Sequence, residues 1–336
     1  MSAEAGNVYR SNRLPFIDNL YTIGILLVLF GHSHSSDWGT FSGTVLESAI
    51  NFIYLFHMPL FFFIAGYLFM NSKSMEKIGY GIWIRDKAIK LLTPYLVLSL
   101  VAAVPKYYFE TGTMSGLVSS VVTGILEPRI GVWGHFWFIP VLLVVYVFFG
   151  LLKKLIPNVK WLITEALMIS LILYFMPIQT MWLGLSDVKA VCIFFAVGMI
   201  IHEIEDKVEY KKEYCLLGIA VGVIVTLIIA PKCNGNSVLS LIAALLMITA
   251  CWLASRLIRE NRFCSYISRH NFTIYIYSWL FQAVVMYLCD RLHFQWYVES
   301  PIMFFLGLFA PLAMITVYER LRKIQNLVFD LILGVK

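Results

Sequence analysis

Charge is what this chain lacks most. Asp, Glu, Lys and Arg make up only 14% of its 336 residues, against about a quarter in a soluble domain. With 60% hydrophobic residues and a mean hydropathy of +0.79, that scarcity excludes a soluble globular enzyme and leaves an integral membrane protein. The bilayer is the expected surrounding, and no nucleic-acid partner is expected. Cysteine patterning is missing too. Cys192, Cys215, Cys233, Cys251, Cys264 and Cys289 are scattered through apolar segments with no C-x-x-C pair. They read as small buried hydrophobes, with no disulfide framework and no metal site. Tandem repeats, low-complexity tracts and a soluble appendage are also absent, which predicts one membrane-embedded domain over residues 1–336. The first apolar run is followed by "HSHSSDWG", which is not a small-x-small cleavage site, so that run reads as an uncleaved first span. The first dozen residues and the closing "LILGVK" are expected to be loosely ordered.

What is present is a series of apolar runs. A spanning helix needs about 20 mostly apolar residues, and ten segments qualify, at roughly 15–34, 50–70, 89–109, 134–152, 161–178, 188–204, 214–230, 238–255, 271–289 and 301–319. The segment Gly116–Leu126 is too short and reads as interfacial or re-entrant. With the N-terminus inside, the inner loops collect most of the Lys and Arg, leaving only Lys106, Arg129, Lys189, Lys232 and Arg291 outside, five of the 26. Basic residues in short loops favour the cytoplasm. The predicted fold is an all-α polytopic bundle of about ten spans with both termini cytoplasmic; a missed or extra pair of spans would keep that parity.

The first span carries polar groups that an anchor does not need. Positions 18, 21, 25, 28 and 32 fall on one helical stripe, so Asp18, Tyr21 and His32 share a face. His32 lies about 24 Å along the axis from Phe16, in the outer part of the bilayer. Ionisable groups inside a span are costly and usually face a cavity. Asp18 reads equally well as an acid complementing the helix N-terminus. His34 reads as a loop residue, and an H-x-H metal pair is disfavoured because side chains two apart diverge on a helix. In the second span, His57 is followed by Pro59, which cannot donate an N–H and frees the carbonyl of Leu55. The fourth span opens "WGHFWFIP", where His135 and Trp137 precede Pro140. On the inner side, "WIRDKAIKLLTPY" carries Arg85, Lys87 and Lys90 ahead of Pro94 and Tyr95. These are either ordinary positive-inside charges or a landing site for a phosphate-bearing cytosolic ligand.

These phrases, in order, resemble the acyltransferase-3 membrane proteins that O-acylate cell-surface carbohydrates, and most closely the fucose 4-O-acetylase-like branch. "IDNLYTIGILLVLFGHS" supplies the acid and the histidine of the family opening at Asp18 and His32. "FHMPLFFFIAGYLF", the basic residues before "LLTPY", "HFWFIPVLL" and "FFAVGMIIH" follow in family order. Two positions depart from it. Tyr21 stands where the family carries a basic residue, and "YIYSWL" has Ser278 where a histidine is common. The resemblance implies a membrane O-acyltransferase taking an acyl group, acetyl above all, from cytosolic acyl-CoA to a hydroxyl of a cell-surface or lipid-linked carbohydrate, in a bacterial cytoplasmic membrane. It implies His32 as the catalytic residue, by general base or by an acyl-histidine. It places substrate binding at Asp18, Tyr21, His57, His135 and Trp137, with Tyr21 on the path of the acyl-CoA thread toward His32, and the CoA contacts at Arg85, Lys87, Lys90 and Tyr95. Composition alone also admits a transporter or flippase for a small solute or lipid-linked glycan, although no repeated halves or paired broken helices are visible, and a structural or sensory subunit. The oligomeric state is left open.

Overall fold

A computed structural model describes residues 14–34, 42–131, 134–321 and 327–334. The first dozen residues and the last two of "LILGVK" lie outside the described residues, as does most of "HSHSSDWG"; Leu331 and Ile332 end a helix. Among the described residues all regular structure is helical. The helices are α1 (Pro15–Gly31), α2 (Val45–Tyr54), α3 (His57–Asn71), α4 (Ser74–Ile78), α5 (Tyr80–Thr111), α6 (Leu117–Leu126), α7 (Phe138–Leu155) and α8 (Val159–Phe175). They continue with α9 (Leu185–Ile204), α10 (Lys212–Ile229), α11 (Ser237–Leu257), α12 (Arg262–Arg269), α13 (Asn271–Arg291), α14 (Trp296–Leu321) and α15 (Leu327–Ile332).

A helix stands at each of the ten predicted places. Eight stretches are long and apolar enough to cross a membrane: the α2–α3 stretch, α5, α7, α9, α10, α11, α13 and α14. The remaining two, α1 and α8, have 17 residues each, about 26 Å at 1.5 Å per residue, which is the short end of the spanning range. At 10 residues, α6 is far too short to span, as its sequence predicts. The chain is a multi-pass membrane protein.

The predicted single second span is broken. α2 ends at Tyr54 and α3 begins at His57. Across the break the N–H groups of Leu55 and Phe56 donate to Phe52 and Ile53, three residues back, at 3.3 and 3.1 Å. Pro59 is the cause, because it has no N–H for the Leu55 carbonyl and the ladder cannot run through. The upstream piece is separately capped: the Thr44 hydroxyl accepts from the Glu47 N–H at 3.3 Å, and the Glu47 carboxylate accepts from the Gly43 N–H at 2.6 Å, a capping-box arrangement shifted by one residue.

The chain packs as two compact units, Met1–Ile64 with Asp206–Arg322, and Ala65–Glu205 with Lys323–Lys336. In the first unit α1 is the central element, packed by α2, α11, α12, α13 and α14, with Leu20, Ile25 and Leu29 fully buried. Its polar residues tie it to the α11–α12 corner. Asn19 Nδ2 donates to the carbonyls of Ser255 and Ile258 at 3.0 and 2.9 Å, filling acceptors that the end of α11 leaves open. Thr22 Oγ1 donates to the Cys264 carbonyl at 3.1 Å. In the second unit α9 packs on α7 and α8, and α5 packs on α6, α7 and α15. Phe149 and Phe195 stack at 4.4 Å in its core.

Candidate functional site

His32 caps α1. Its N–H donates to the Val28 carbonyl at 3.1 Å, and its backbone (φ −103°, ψ 4°) leaves the helix there. Three rings surround its imidazole: His57 at 6.5 Å, edge-on; Tyr54 at 6.2 Å; and Trp279 at 6.0 Å, edge-on. Tyr54 and His57 lie 5.0 Å apart. The break at Pro59 builds this arrangement, because it brings the end of α2 and the start of α3 together at the end of α1. Tyr54 Oη donates to the Gly31 carbonyl at 2.7 Å, filling one of the acceptors that the end of a helix leaves open.

The protonation of His57 follows from its partner. Its Nδ1 lies 3.0 Å from the Ile53 carbonyl, and a carbonyl only accepts, so Nδ1 carries the hydrogen. In the neutral ring Nε2 then bears the lone pair. His57 is buried, so the basic nitrogen of its neutral form sits in the same cluster as the His32 ring.

Asp18 does not join this cluster. It lies fourteen residues before His32, about 21 Å along the axis, and its Oδ1 accepts from Ser268 Oγ at 2.7 Å. With Thr22 it fastens α1 to the amphipathic helix α12, while Asn19 bonds the end of α11. Tyr21 is half-buried and packs on Phe61, ring centroids 6.3 Å apart. Tyr21→Phe is expected to change KM and turnover by no more than about tenfold, since it removes at most one neutral hydrogen bond worth about 0.5–1.5 kcal/mol; steady-state kinetics checks it. His34 is buried directly after α1. Among the described residues no group of three His, Cys, Asp or Glu could hold a metal ion.

The remaining predicted residues lie in the second unit. His135 stands in a single turn, Gly134–Trp137, and packs on Phe136 at 4.5 Å. Trp137 carries Arg129 over its face at 4.2 Å. Arg129 in turn grips Asp187 through Nε at 2.9 Å to both carboxylate oxygens and through Nη2 at 2.6 Å. This bidentate pair fixes the turn that bears Trp137. On α5, Arg85 is exposed and pairs with Asp86 at 3.3 Å, and Lys90 is exposed. Lys87 is drawn inward over the Tyr146 ring at 4.5 Å and the Trp83 ring at 5.7 Å. Tyr95 is buried, and its hydroxyl donates to the Gly124 carbonyl of α6 at 3.4 Å. Arg85 and Tyr95 are ten residues apart, about 15 Å along α5, so the four do not meet at one point.

Sequence reading missed Tyr54, Trp279 and Gln282. Tyr54 was within reach, since it precedes His57 by three residues. Trp279 and Gln282 are also three apart, on one face of α13, but nothing local ties them to His32. Gln282 Nε2 donates to the Leu29 carbonyl and to Ser33 Oγ, both at 3.3 Å, and so holds the last turn of α1 from the side.

The model of the acyltransferase-3 family, described as an acyltransferase domain, matches residues 14–319. No curated protein and no solved structure matches the chain. The family match runs from the start of α1 almost to the end of α14 and takes in both histidines of the ring cluster; the chain belongs to the acyltransferase-3 family and is a membrane acyltransferase.

Proposed function

We propose that the protein moves an acyl group, acetyl above all, from cytosolic acyl-CoA to a hydroxyl of a cell-surface or lipid-linked carbohydrate, in a bacterial cytoplasmic membrane. Its sequence phrases resemble the fucose 4-O-acetylase-like branch of the family. The observation that carries the reading is the pairing of His32 with His57 at the broken span, walled by Tyr54 and Trp279. A neutral imidazole accepts a hydroxyl proton near pH 7. In the proposed step the acceptor oxygen attacks the thioester carbonyl, the C–O bond forms and the C–S bond breaks. The hydroxyl proton passes to the His32 ring and then to the departing CoA thiolate. Aromatic faces beside an imidazole suit a sugar ring, whose C–H faces pack on aromatic side chains while its hydroxyls reach polar groups. In this reading residues 1–336 form one acyltransferase domain.

The test is incubation of purified protein with labelled acetyl-CoA. Release of CoA with transfer of label to a glycan acceptor is expected. Solute uptake into vesicles without CoA consumption would replace this reading with transport. Arg85 and Lys90 supply the donor contacts. Arg85→Ala and Lys90→Ala are each expected to raise the KM for acyl-CoA about ten- to a hundredfold, the worth of a charge-assisted contact of about 1.5–3 kcal/mol, and to leave the acceptor KM near wild type. An unchanged donor KM in both variants would reduce them to topology charges.

A further inference from the structure

The last turn of α1 is held by side chains of other helices. A helix end leaves its final carbonyls without backbone partners. The His32 N–H still reaches Val28, but the Ser33 N–H goes to the Phe30 carbonyl at 3.1 Å instead of to Leu29. The Leu29 carbonyl is therefore left to side chains: Ser33 Oγ donates to it at 2.6 Å and Gln282 Nε2 at 3.3 Å. The Gly31 carbonyl, part of the peptide that leads into His32, takes the Tyr54 hydroxyl. The orientation of the Gln282 amide follows from its partners. The Leu29 carbonyl only accepts, and the Ser33 hydroxyl hydrogen is already spent on it, so the amide nitrogen faces both and donates to Ser33 Oγ at 3.3 Å. Gln282 thus ties the residue three before His32 to the residue after it. Trp279, one turn earlier on the same face of α13, stands edge-on to the His32 ring at 6.0 Å.

We propose that Gln282 is a positioning residue for the acyl transfer, fixing the His32 imidazole where the proton is taken up, and that Gly307 is its seat. The inference rests on the acyl-transfer reading above and adds a residue to it. Two observations separate positioning from packing. Gln282 is 1% exposed, and its Oε1 has no hydrogen-bond partner among the described residues. A buried amide oxygen without a partner is destabilising. An apolar side chain of the same shape would remove that oxygen and orphan nothing, since Leu29 and Ser33 keep each other. Stability alone therefore does not call for a glutamine here. The second observation is the room made for it. A Cβ at Gly307 of α14 would stand 2.9 Å from Gln282 Nε2 and 3.1 Å from its Cδ and Cγ, so the amide occupies the space that the missing side chain leaves. α13 thus reaches His32 twice, at the ring and at the backbone, and α14 backs the second contact.

The test uses the full-length protein in detergent and Gln282→Met, which keeps the length of the side chain and removes the amide. A misplacement of about 1 Å costs on the order of 10²-fold in rate, so kcat is expected to fall about ten- to a hundredfold, with both KM values within about threefold of wild type. The unfolding temperature should stay at or above wild type, because no group is orphaned. In protein labelled with carbon-13 histidine, the His32 ring resonance, assigned by its loss in His32→Ala, should broaden or split in Gln282→Met. The His57 resonance should not change, since its ring is held by the Ile53 carbonyl. Gly307→Ala removes no hydrogen-bonding group. It should lower kcat in the same sense and add nothing to Gln282→Met, as two changes acting through one contact do. Wild-type kcat in Gln282→Met would overturn the proposal. So would a fall matched by loss of folded protein and by equal broadening of both histidine resonances. The resonances need no turnover, so a displaced His32 signal in a protein that transfers no acyl group would keep the positioning contact and sink the acyl-transfer reading instead.

Discussion

His32→Ala is expected to lower acyl transfer by about 10²–10⁴-fold, the usual cost of losing a general base, with the protein still folded in detergent. The fold should survive because His32 ends α1 rather than filling its core: the helix is held by Leu20, Ile25 and Leu29 and by the bonds of Asn19 and Thr22. The measurement is label transfer from acetyl-CoA, with size-exclusion profiles of both proteins alongside. Activity within about threefold of wild type would remove His32 from the chemistry. His57→Asn separates the two imidazoles. Asparagine can restore an N–H near the position of Nδ1 but supplies no basic nitrogen where Nε2 lies. If His32 is the proton acceptor, His57→Asn costs less than His32→Ala; the reverse order would move the role to His57, whose Nε2 carries the lone pair in the neutral ring.

Gly66→Val is expected to cause the largest loss of stability of any single substitution considered. Gly66 lies in the second half of α3, and a Cβ there would stand 2.0 Å from the Phe195 carbonyl oxygen of α9. That oxygen is backbone, held in a helix ladder, and cannot swing aside as a side chain can. Membrane helices approach this closely only over small residues. Overpacking costs about 1–3 kcal/mol and occasionally more, and this substitution belongs at or above the top of that range. Gly66→Ala should already lower the unfolding temperature in detergent, and Gly66→Val more so. Gly81→Ala is the control, since a Cβ at Gly81 meets nothing within 4 Å, and alanine is about 0.8–1.0 kcal/mol better than glycine in a helix. Equal unfolding temperatures for Gly66→Val and wild type would mean that α3 and α9 do not cross at that contact.

The same glycine explains part of the family phrase "FHMPLFFFIAGYLF". Its histidine supplies the ring beside His32, its proline breaks the span so that the ring faces inward, and its glycine admits α9. Each is legible as a residue type, but the job of each depends on a partner distant in sequence.

Hydropathy by itself determined that the chain is helical and membrane-embedded, because a lipid-facing backbone has no water to bond and must satisfy itself within each helix. It located ten helices, and Pro59 marked the break in the second span, since a missing N–H is a local property. The stripe through positions 18, 21 and 32 singled out His32 for the same reason: helical periodicity is local. Only the tertiary structure decided what each residue of that stripe meets. Asp18 could be read as a functional acid or as a helix N-terminal one, and only the fold shows that its carboxylate is bonded to Ser268, 250 residues away. Arg129 looked like a stray outside charge, yet it clamps Asp187 and covers Trp137. Trp279 and Gln282 gave no local signal and stand beside His32 and the last turn of α1. Periodicity says which way a side chain points along its own helix; which helix packs opposite is set by shape and by the few polar groups that apolar surroundings force into pairs.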